Sequence, residues 1–483
     1  MYNIPMQKTF ASYVFGCRVN QAEKEELDRQ LSVAGFRYSE NNPDIYIINT
    51  CAVTGKAERE ARQFIYQTRK KYPKAKIIVT GCATTKWINE KVKIKEADWM
   101  IGNKNKESIG HLISNLYLKS NNYRSGTINI KAGGARKNVI LGRSEVTTPE
   151  SAGVYSLRDS GQARMTYLSY LASKKILYAS EIVSDKFLPS GRLLIKIQDG
   201  CQRYCTYCIV PYLRGTPRSE KIKNIESRIM NYGNKIKEVI LTAINTEAYG
   251  LDTGESFIDL LNKIIKHTKV ERVSLGSINP WSINREFFNF YKKVLPQKRL
   301  VNFFHIPLQS GSNKILSLMK RGYTREEFRE KLNTFPQINP FSFIGTDIIV
   351  GFLDETDRDF EDTYNFLKDS PISKFHIFRF SVREKTAAYY MSKTIKEPSV
   401  QVKIKRAKIL ASLGKIKYRK FISKHLGKNF SALFLQRRIE NFQEVLLDNQ
   451  IPAFIKTSKN WTGEIKQIKI DSIKIDKLTG RIV

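Results

Sequence analysis

The chain has few cysteines, no long apolar run and little acid to balance its base. Only six cysteines occur in 483 residues. No stretch reaches about 18 apolar residues, so no membrane-spanning helix and no membrane partner is expected. The start, Met1 to Lys8, leads into only a short apolar run and does not read as a secretory signal. A cysteine-poor chain without such a signal is expected in the cytoplasm, where disulfides rarely persist. The shortage of acid is the larger imbalance: 82 Lys+Arg stand against 46 Asp+Glu, a formal net charge of +36. A surface so charged suits a polyanion, because phosphate backbones give salt-dependent, sequence-independent affinity. Lysine as compositional background is the alternative, since Lys, Ile and Asn are abundant throughout. The hydrophobic content of 41% is enough for ordinary cores, and the length suggests two to four domains.

The cysteines that are present fall into two groups of three with none left over. Cys201, Cys205 and Cys208 form one tight run, while Cys17, Cys51 and Cys82 are scattered through the first hundred residues. Each group is one ligand short of a closed tetrahedral site, and an open position on a metal is where chemistry takes place. Thiolates suit iron–sulfur clusters, copper(I) or zinc. No histidine lies near the tight run to complete a structural zinc site.

The surrounding pattern places these residues. Thr9–Phe15, Asp44–Asn49 and Lys76–Thr80 read as short buried strands separated by helical patterns at Gln21–Ala34 and Ala57–Lys71, an order that implies a parallel sheet with covering helices. Cys17, Cys51 and Cys82 each follow a strand end, on the ligand-binding edge of an open α/β sheet, so they can converge although far apart in sequence. A second α/β unit begins near Leu193. Its strand-like runs are Leu193–Gln198, Glu238–Leu241, Arg272–Leu275, Asn302–Ile306, Ser342–Val350 and Lys374–Phe380, with helical patterns such as Ser256–His267 and Asp357–Lys368. Repeated βα units form barrels whose working residues sit at strand carboxyl ends. Those ends carry Cys201, Thr242, Ser277, Gln309 and Arg383. Between Lys119 and Ser190 no clear pattern emerges. Arg136, Arg143, Arg164, Tyr167 and Tyr170 lie there, and the segment reads as a linker, an inserted subdomain or an RNA-contacting arm. Beyond about Phe421, runs at Phe430–Leu435, Glu444–Leu447, Gln467–Ile470 and Ser472–Ile475 read as a small β-barrel, with Lys456, Lys459, Lys466 and Lys469 free to track a phosphate backbone or simply to face water.

Several segments together resemble one known family. They are Gly16-Cys17-Arg18-Val19-Asn20-Gln21, Asn49-Thr50-Cys51-Ala52-Val53-Thr54, Thr80-Gly81-Cys82-Ala83 and the run Asp199–Arg214 with its Cys-x-x-x-Cys-x-x-Cys spacing. To these add His305-Ile306-Pro307-Leu308-Gln309-Ser310-Gly311, Met319–Thr324 and Thr346–Phe352. The chain resembles the methylthiotransferases of the radical S-adenosylmethionine (SAM) superfamily. Of that family's branches it looks most like the one acting on threonylcarbamoyl-adenosine in tRNA. The others act on isopentenyl-adenosine in tRNA and on an aspartate of a ribosomal protein. Two departures stand out: Phe352-Leu353-Asp354-Glu355 replaces the usual Phe-Pro-Gly-Glu, and Arg383-Glu384-Lys385-Thr386 replaces Arg-Glu-Gly-Thr. Either the new charge perturbs cofactor affinity, or the turns tolerate a residue other than glycine.

The resemblance implies an α/β chain in four parts: an amino-terminal parallel α/β sheet domain (1–118), a linker or insertion (119–190), a radical SAM partial (β/α)6 barrel (191–416) and a small carboxyl-terminal β-barrel of the TRAM kind (417–483). It implies two [4Fe–4S] clusters, one on Cys17, Cys51 and Cys82 and one on Cys201, Cys205 and Cys208. It also implies SAM as cofactor, with Thr242, Ser277, Gln309 and Arg383 as candidate contacts. The reaction it implies uses one SAM to methylate a sulfur at the first cluster. A second SAM is cleaved to a radical that activates carbon 2 of the adenine. The partners it implies are tRNA, a sulfur donor and an electron donor such as flavodoxin or ferredoxin. Arg214, Arg321 and Arg383 are candidates to bind the carboxylate of a threonylcarbamoyl group. A non-enzymatic iron–sulfur RNA-binding protein is the alternative of another class.

Overall fold

The computed structural model describes residues 8–110, 112–113, 128–132, 135–141 and 189–483. It divides into two compact units, Met1–Phe187 and Leu188–Val483.

In the first unit, strands β1 (Thr9–Val14), β2 (Arg37–Tyr38), β3 (Ile45–Thr50), β4 (Lys76–Gly81) and β5 (Trp99–Ile101) are all parallel. Strands β6 (Ile128–Ala132) and β7 (Ala135–Leu141) form an antiparallel hairpin whose β7 pairs with β5, giving the order β2-β1-β3-β4-β5-β7-β6. The apolar runs of β3 and β4 are buried because helices Arg18–Val33 and Gly55–Lys71 serve as crossovers between parallel strands. Phe10, Leu31, Ile45, Ile47 and Ile78 form the core. The hairpin puts strand in a segment that carries no clear sequence pattern. Of the basic and aromatic residues expected to act in that segment, Arg136 lies on β7, and Arg143, Arg164, Tyr167 and Tyr170 lie outside the described residues.

The second unit begins with β8 (Arg192–Asp199), followed by β9 (Arg218–Ser219), β10 (Glu238–Ala243) and β11 (Arg272–Leu275) in one sheet. Strands β12 (Phe303–His305), β13 (Phe343–Val350) and β14 (Lys374–Arg379) form another. Parallel bridges Val273–Leu300 and Ser277–His305 join the two, so six parallel strands run β8-β10-β11-β12-β13-β14 as an open partial barrel. All six strands read from the sequence are present, with ends shifted by a residue or two. Helices Phe257–His267, Arg325–Ile338 and Asp357–Asp369 follow strands and are started by Ser256, Thr324 and Thr356, whose side chains accept backbone N–H bonds.

A 24-residue helix, Val400–Ser423, runs through the expected boundary at 416–417 without a break. It leads into a closed barrel of β15 (Asn429–Ile439), β16 (Phe442–Leu447), β17 (Pro452–Lys456), β18 (Ile465–Lys474) and β19 (Lys477–Ile482). The two runs 467–470 and 472–475 are one strand with a register shift between Ile470 and Ser472. β17 and β19 were not legible, because Pro452 and Gly480 interrupt their patterns. This barrel caps the amino-terminal ends of the partial barrel. Arg272 at the start of β11 donates to Leu446 O and Ser431 Oγ, and Gln450 donates to Glu238 at the start of β10. Phe343, Phe421, Phe430 and Phe434 share one apolar core across the junction.

Candidate active site

In the first unit, β1, β3 and β4 are neighbours in register: Val14 pairs with Asn49, and Thr50 pairs with Gly81. Cys17, Cys51 and Cys82 therefore leave adjacent strands at the same edge, as expected. Cys17 caps helix Arg18–Val33, and Cys82 opens helix Cys82–Asn89. A helix start favours a thiolate, because the backbone N–H groups there carry partial positive charge. The glycines between are required. A Cβ on Gly16 (φ +91°) would lie 2.6 Å from Cys51 Sγ, and one on Gly81 (φ +99°) 2.3 Å from Thr50 O. Asn20 is fully buried and ties the edge together, donating to Phe15 O at 2.9 Å and Thr50 O at 3.1 Å. Lys106 donates to Asn49 Oδ1 at 2.9 Å and pairs with Glu23, bringing a cation to the same edge. Cys51 and Cys82 are buried and Cys17 is exposed. Sequence reasoning missed Asn20 and Lys106 as site-builders. Asn20 lay inside a motif already singled out, whereas nothing local marks Lys106.

In the second unit, the cysteine loop follows β8. Gly200 (φ +78°) makes its first bend, where a Cβ would meet Thr216 O at 2.1 Å. Cys201 N donates to Gly215 O, Cys208 N to Cys205 O, and Thr206 N to Met319 O. Burial, and then the neighbouring Cys205, push the Cys208 thiol up to about 12 and raise Cys201 as well. Three thiolates in this loop thus need cationic charge among them, as an iron–sulfur cluster supplies. Neither triad draws its three sulfurs as close together as ligands of a single ion would be. A cubane is larger than a single ion and does not require that closeness. Both donor sets fit cluster ligation.

Arg321 anchors the loop from β12's side. Its Nη1 lies 3.3 Å from Cys205 Sγ and 3.2 Å from Tyr207 Oη, its Nη2 donates to Pro307 O, and its guanidinium stacks 4.7 Å over Trp281. Arg214, 1% exposed, is bound to Asp199 at 2.8 Å. Both guanidiniums thus hold the loop, which removes Arg214 as a substrate-facing group.

The four candidate SAM contacts all lie at strand carboxyl ends. Thr242 is buried at the end of β10, where a Cβ on Gly276 would come within 3.0 Å of its Oγ1. Ser277 Oγ lies 2.9 Å from His305 Nδ1. Gln309 (φ +76°) exchanges backbone bonds with Asp347 and Ile349. Arg383 is buried, and its carbonyl accepts from Thr386 Oγ1 at 2.6 Å. The structure thus joins Ser277 to His305 and Gln309 to β13. The two departures from glycine resolve as turns. Asp354 (φ +57°) and Lys385 (φ +70°) each sit at the third position of a turn closed by Glu355 N to Phe352 O and by Thr386 N to Arg383 O. Glycine is favoured at such positions. Asp354 is exposed and pairs with Lys314 at 3.0 Å.

One group escaped sequence reading. His305, Asp347 and His376, on β12, β13 and β14, place their ligand atoms within 4.8 Å of one another. With five histidines in the chain, two meeting one carboxylate is a signal, but only the strand pairing Asp347–His376 reveals it.

Residues 195–367 match the radical SAM superfamily, and residues 9–102 match the "uncharacterized protein family UPF0004". The fold is similar to that of the radical S-adenosylmethionine methyltransferase TsrM from Kitasatospora setae: TM-score 0.52, 13% identity, covering 79% of this chain and 74% of that one. The open barrel and its three-cysteine loop are thus those of a radical SAM enzyme. The chain is 33% identical to the threonylcarbamoyladenosine tRNA methylthiotransferase MtaB of Aquifex aeolicus (strain VF5), over 89% of this chain and 94% of the relative. It is 29% identical to the tRNA-2-methylthio-N(6)-dimethylallyladenosine synthase of Protochlamydia amoebophila (strain UWE25), over 98% and 96%. The chain belongs to the radical SAM methylthiotransferase family and is a transferase. Among the described residues no helix is long and apolar enough to cross a membrane.

Proposed function

We propose that the chain adds a methylthio group to carbon 2 of N6-threonylcarbamoyladenosine in tRNA, in the cytoplasm, using two [4Fe–4S] clusters and SAM. One observation carries the proposal: each cysteine triad sits at the carboxyl edge of its own parallel sheet, three thiols where a closed tetrahedral site would need four ligands. Cys201, Cys205 and Cys208 would hold the cluster that, with SAM bound, supplies a radical able to remove an unactivated hydrogen. Thr242, Ser277, Gln309 and Arg383 would line the SAM site. Cys17, Cys51 and Cys82 would hold the second cluster. Arg321 keeps Cys205 and the loop in place, and Tyr207 packs against the buried apolar cluster that contains Met319. A sulfur donor and a low-potential electron donor such as flavodoxin or ferredoxin complete the cycle.

The threonylcarbamoyl substrate is favoured over the isopentenyl one on chemical grounds. Arg383, buried past the carboxyl end of β14, offers a guanidinium that suits the substrate's carboxylate better than an aliphatic chain, and the relative at 33% identity is named for the threonylcarbamoyl substrate. A site that hydrogen-bonds such groups rejects an analogue lacking them strongly, because its own polar groups are left unpaired. The test offers the reconstituted enzyme tRNAs carrying each modification and scores methylthio product by nucleoside mass spectrometry. Product on threonylcarbamoyladenosine alone is expected. Product only on the isopentenyl form, or only on a ribosomal protein, overturns the substrate assignment.

A further inference from the structure

The inner wall of the partial barrel carries a second kind of donor set. On β13, Gly345, Asp347 and Ile349 share one face, opposite the fully buried Thr346, Ile348 and Val350. The ladder pairs Asp347 with His376 and Gly345 with His305, so the three chemistry-bearing side chains project to that same face. Phe375, one residue along β14, packs on the opposite side, where a Cβ on Gly414 of the long helix would lie 3.1 Å away. Gly345 makes room for the His305 ring, since a Cβ there would come within 3.1 Å of its Cδ2.

Asp347 Oδ1 lies 3.1 Å from His305 Nε2 and 3.3 Å from His376 Nδ1. Those separations are the edges of a tetrahedron about an ion bound at roughly 2.0–2.1 Å. His305 is 7% exposed, yet its Nε2 has no hydrogen-bond partner: the carboxylate is near but off the N–H direction. Its other ring nitrogen is held by Ser277 Oγ at 2.9 Å, the outer contact that fixes tautomer and ring plane in metal-bound histidines. A buried nitrogen turned toward a carboxylate without bonding it, and locked from behind, is placed to share a third atom with that carboxylate.

We propose that His305 Nε2, Asp347 and His376 Nδ1 bind one borderline divalent cation, zinc by preference, distinct from both cysteine sites. Two imidazoles and a carboxylate suit zinc and leave a fourth position. That position opens on the His376 side, where the side chain is 45% exposed, and would take water or an anionic oxygen ligand.

The experiment uses full-length protein reconstituted anaerobically with iron and sulfide, so that the cysteines are occupied. It is then treated with chelating resin, titrated with zinc chloride, desalted and analysed for both metals. Wild type should retain one zinc beyond its full iron content. His376→Ala, at an exposed position that does not threaten folding, and Asp347→Asn should retain none with iron unchanged. Ser277→Ala should weaken zinc affinity about 10–100-fold, with Ser277→Thr restoring it. Zinc-edge absorption should show only nitrogen and oxygen at about 2.0–2.2 Å. Iron-replete wild type that holds no zinc, His376→Ala that holds as much as wild type, or a sulfur-dominated shell would each overturn the proposal.

Discussion

Lys385 and Asp354 show what a single residue contributes here. Both occupy left-handed backbone at turn positions that suit glycine. A left-handed non-glycine residue costs roughly 1–2 kcal/mol, and glycine gives back about 0.5–1 kcal/mol in chain entropy. Lys385→Gly should therefore stabilise the unit by about 0.5–1 kcal/mol, visible as a higher denaturation midpoint. Asp354→Gly should be nearly neutral, because aspartate tolerates this conformation and its pairing with Lys314 would be lost. An unchanged or lower midpoint for Lys385→Gly would contradict the turn argument. His425 offers a pH test. It is fully buried against Phe421 and Phe430 and bonded to Asn449, and burial brings it down to about 4. Its unfolded value is near 6.5. Between those values only the unfolded chain takes up the proton, so stability is full above pH 6.5 and falls as pH drops toward 4, by about 3 kcal/mol in all. In His425→Gln that part of the acid sensitivity should vanish. Thermal melts of both proteins from pH 7 to 4 measure it, and parallel pH curves would refute the assignment.

At the level of elements, the strands of both α/β units were legible because parallel strands buried on two faces contain unbroken apolar runs, such as Ile45–Ile48 and Val239–Leu241. The cysteine positions followed from those strands. What could not be read was anything set by pairing between distant strands. His376 looks like an ordinary strand residue until β14 is laid beside Asp347. Lys106 reaches Asn49 only once β4 and β5 have closed the sheet. Arg214 looked available for substrate because its partner Asp199, 15 residues earlier, is brought back to it only by the cysteine loop. The loop itself yields a prediction. Cys201/Cys205/Cys208→Ala should reconstitute to about half the iron and sulfide of wild type, since the triad on the first unit is independent of it. Stoichiometric zinc without iron in wild type would remove the cluster reading for both.

For the whole molecule, the tail is part of the barrel's structure. Glu238 is buried with Arg192, Ser274 and Gln450 around it, and Arg272 is buried against the tail's carbonyls. Truncation after Leu426 would strip partners from both charges and open the shared aromatic core. Leaving a buried charged group short of a hydrogen-bond partner costs about 1–3 kcal/mol or more. The truncated chain should be rapidly degraded in limited proteolysis within residues 189–423, whereas a stable fragment there would show that the barrel stands alone. The charge of +36 makes a separate prediction for RNA. Log affinity for tRNA should fall linearly with log salt, each phosphate contact contributing roughly 0.7–0.9 to the slope. Titrations at several salt concentrations measure it, and a flat response would assign the lysines to background composition.

The joint between tail and barrel also sets a clock. Gln450 lies 212 residues after Glu238, the carboxylate it helps to satisfy. At ribosomal speeds of about 5–20 residues per second, that interval is on the order of 10–40 s. Throughout it the nascent barrel has its cysteine loop synthesised and its opposite end unsealed. Oxygen and stray metal ions then have access to Cys205, which the finished fold buries, and to Cys201 and Cys208, which it half-buries. Cells making this protein in air would lose it most readily during synthesis, and slowing elongation over the last stretch should lower the yield of cluster-bearing enzyme more than the yield of chain.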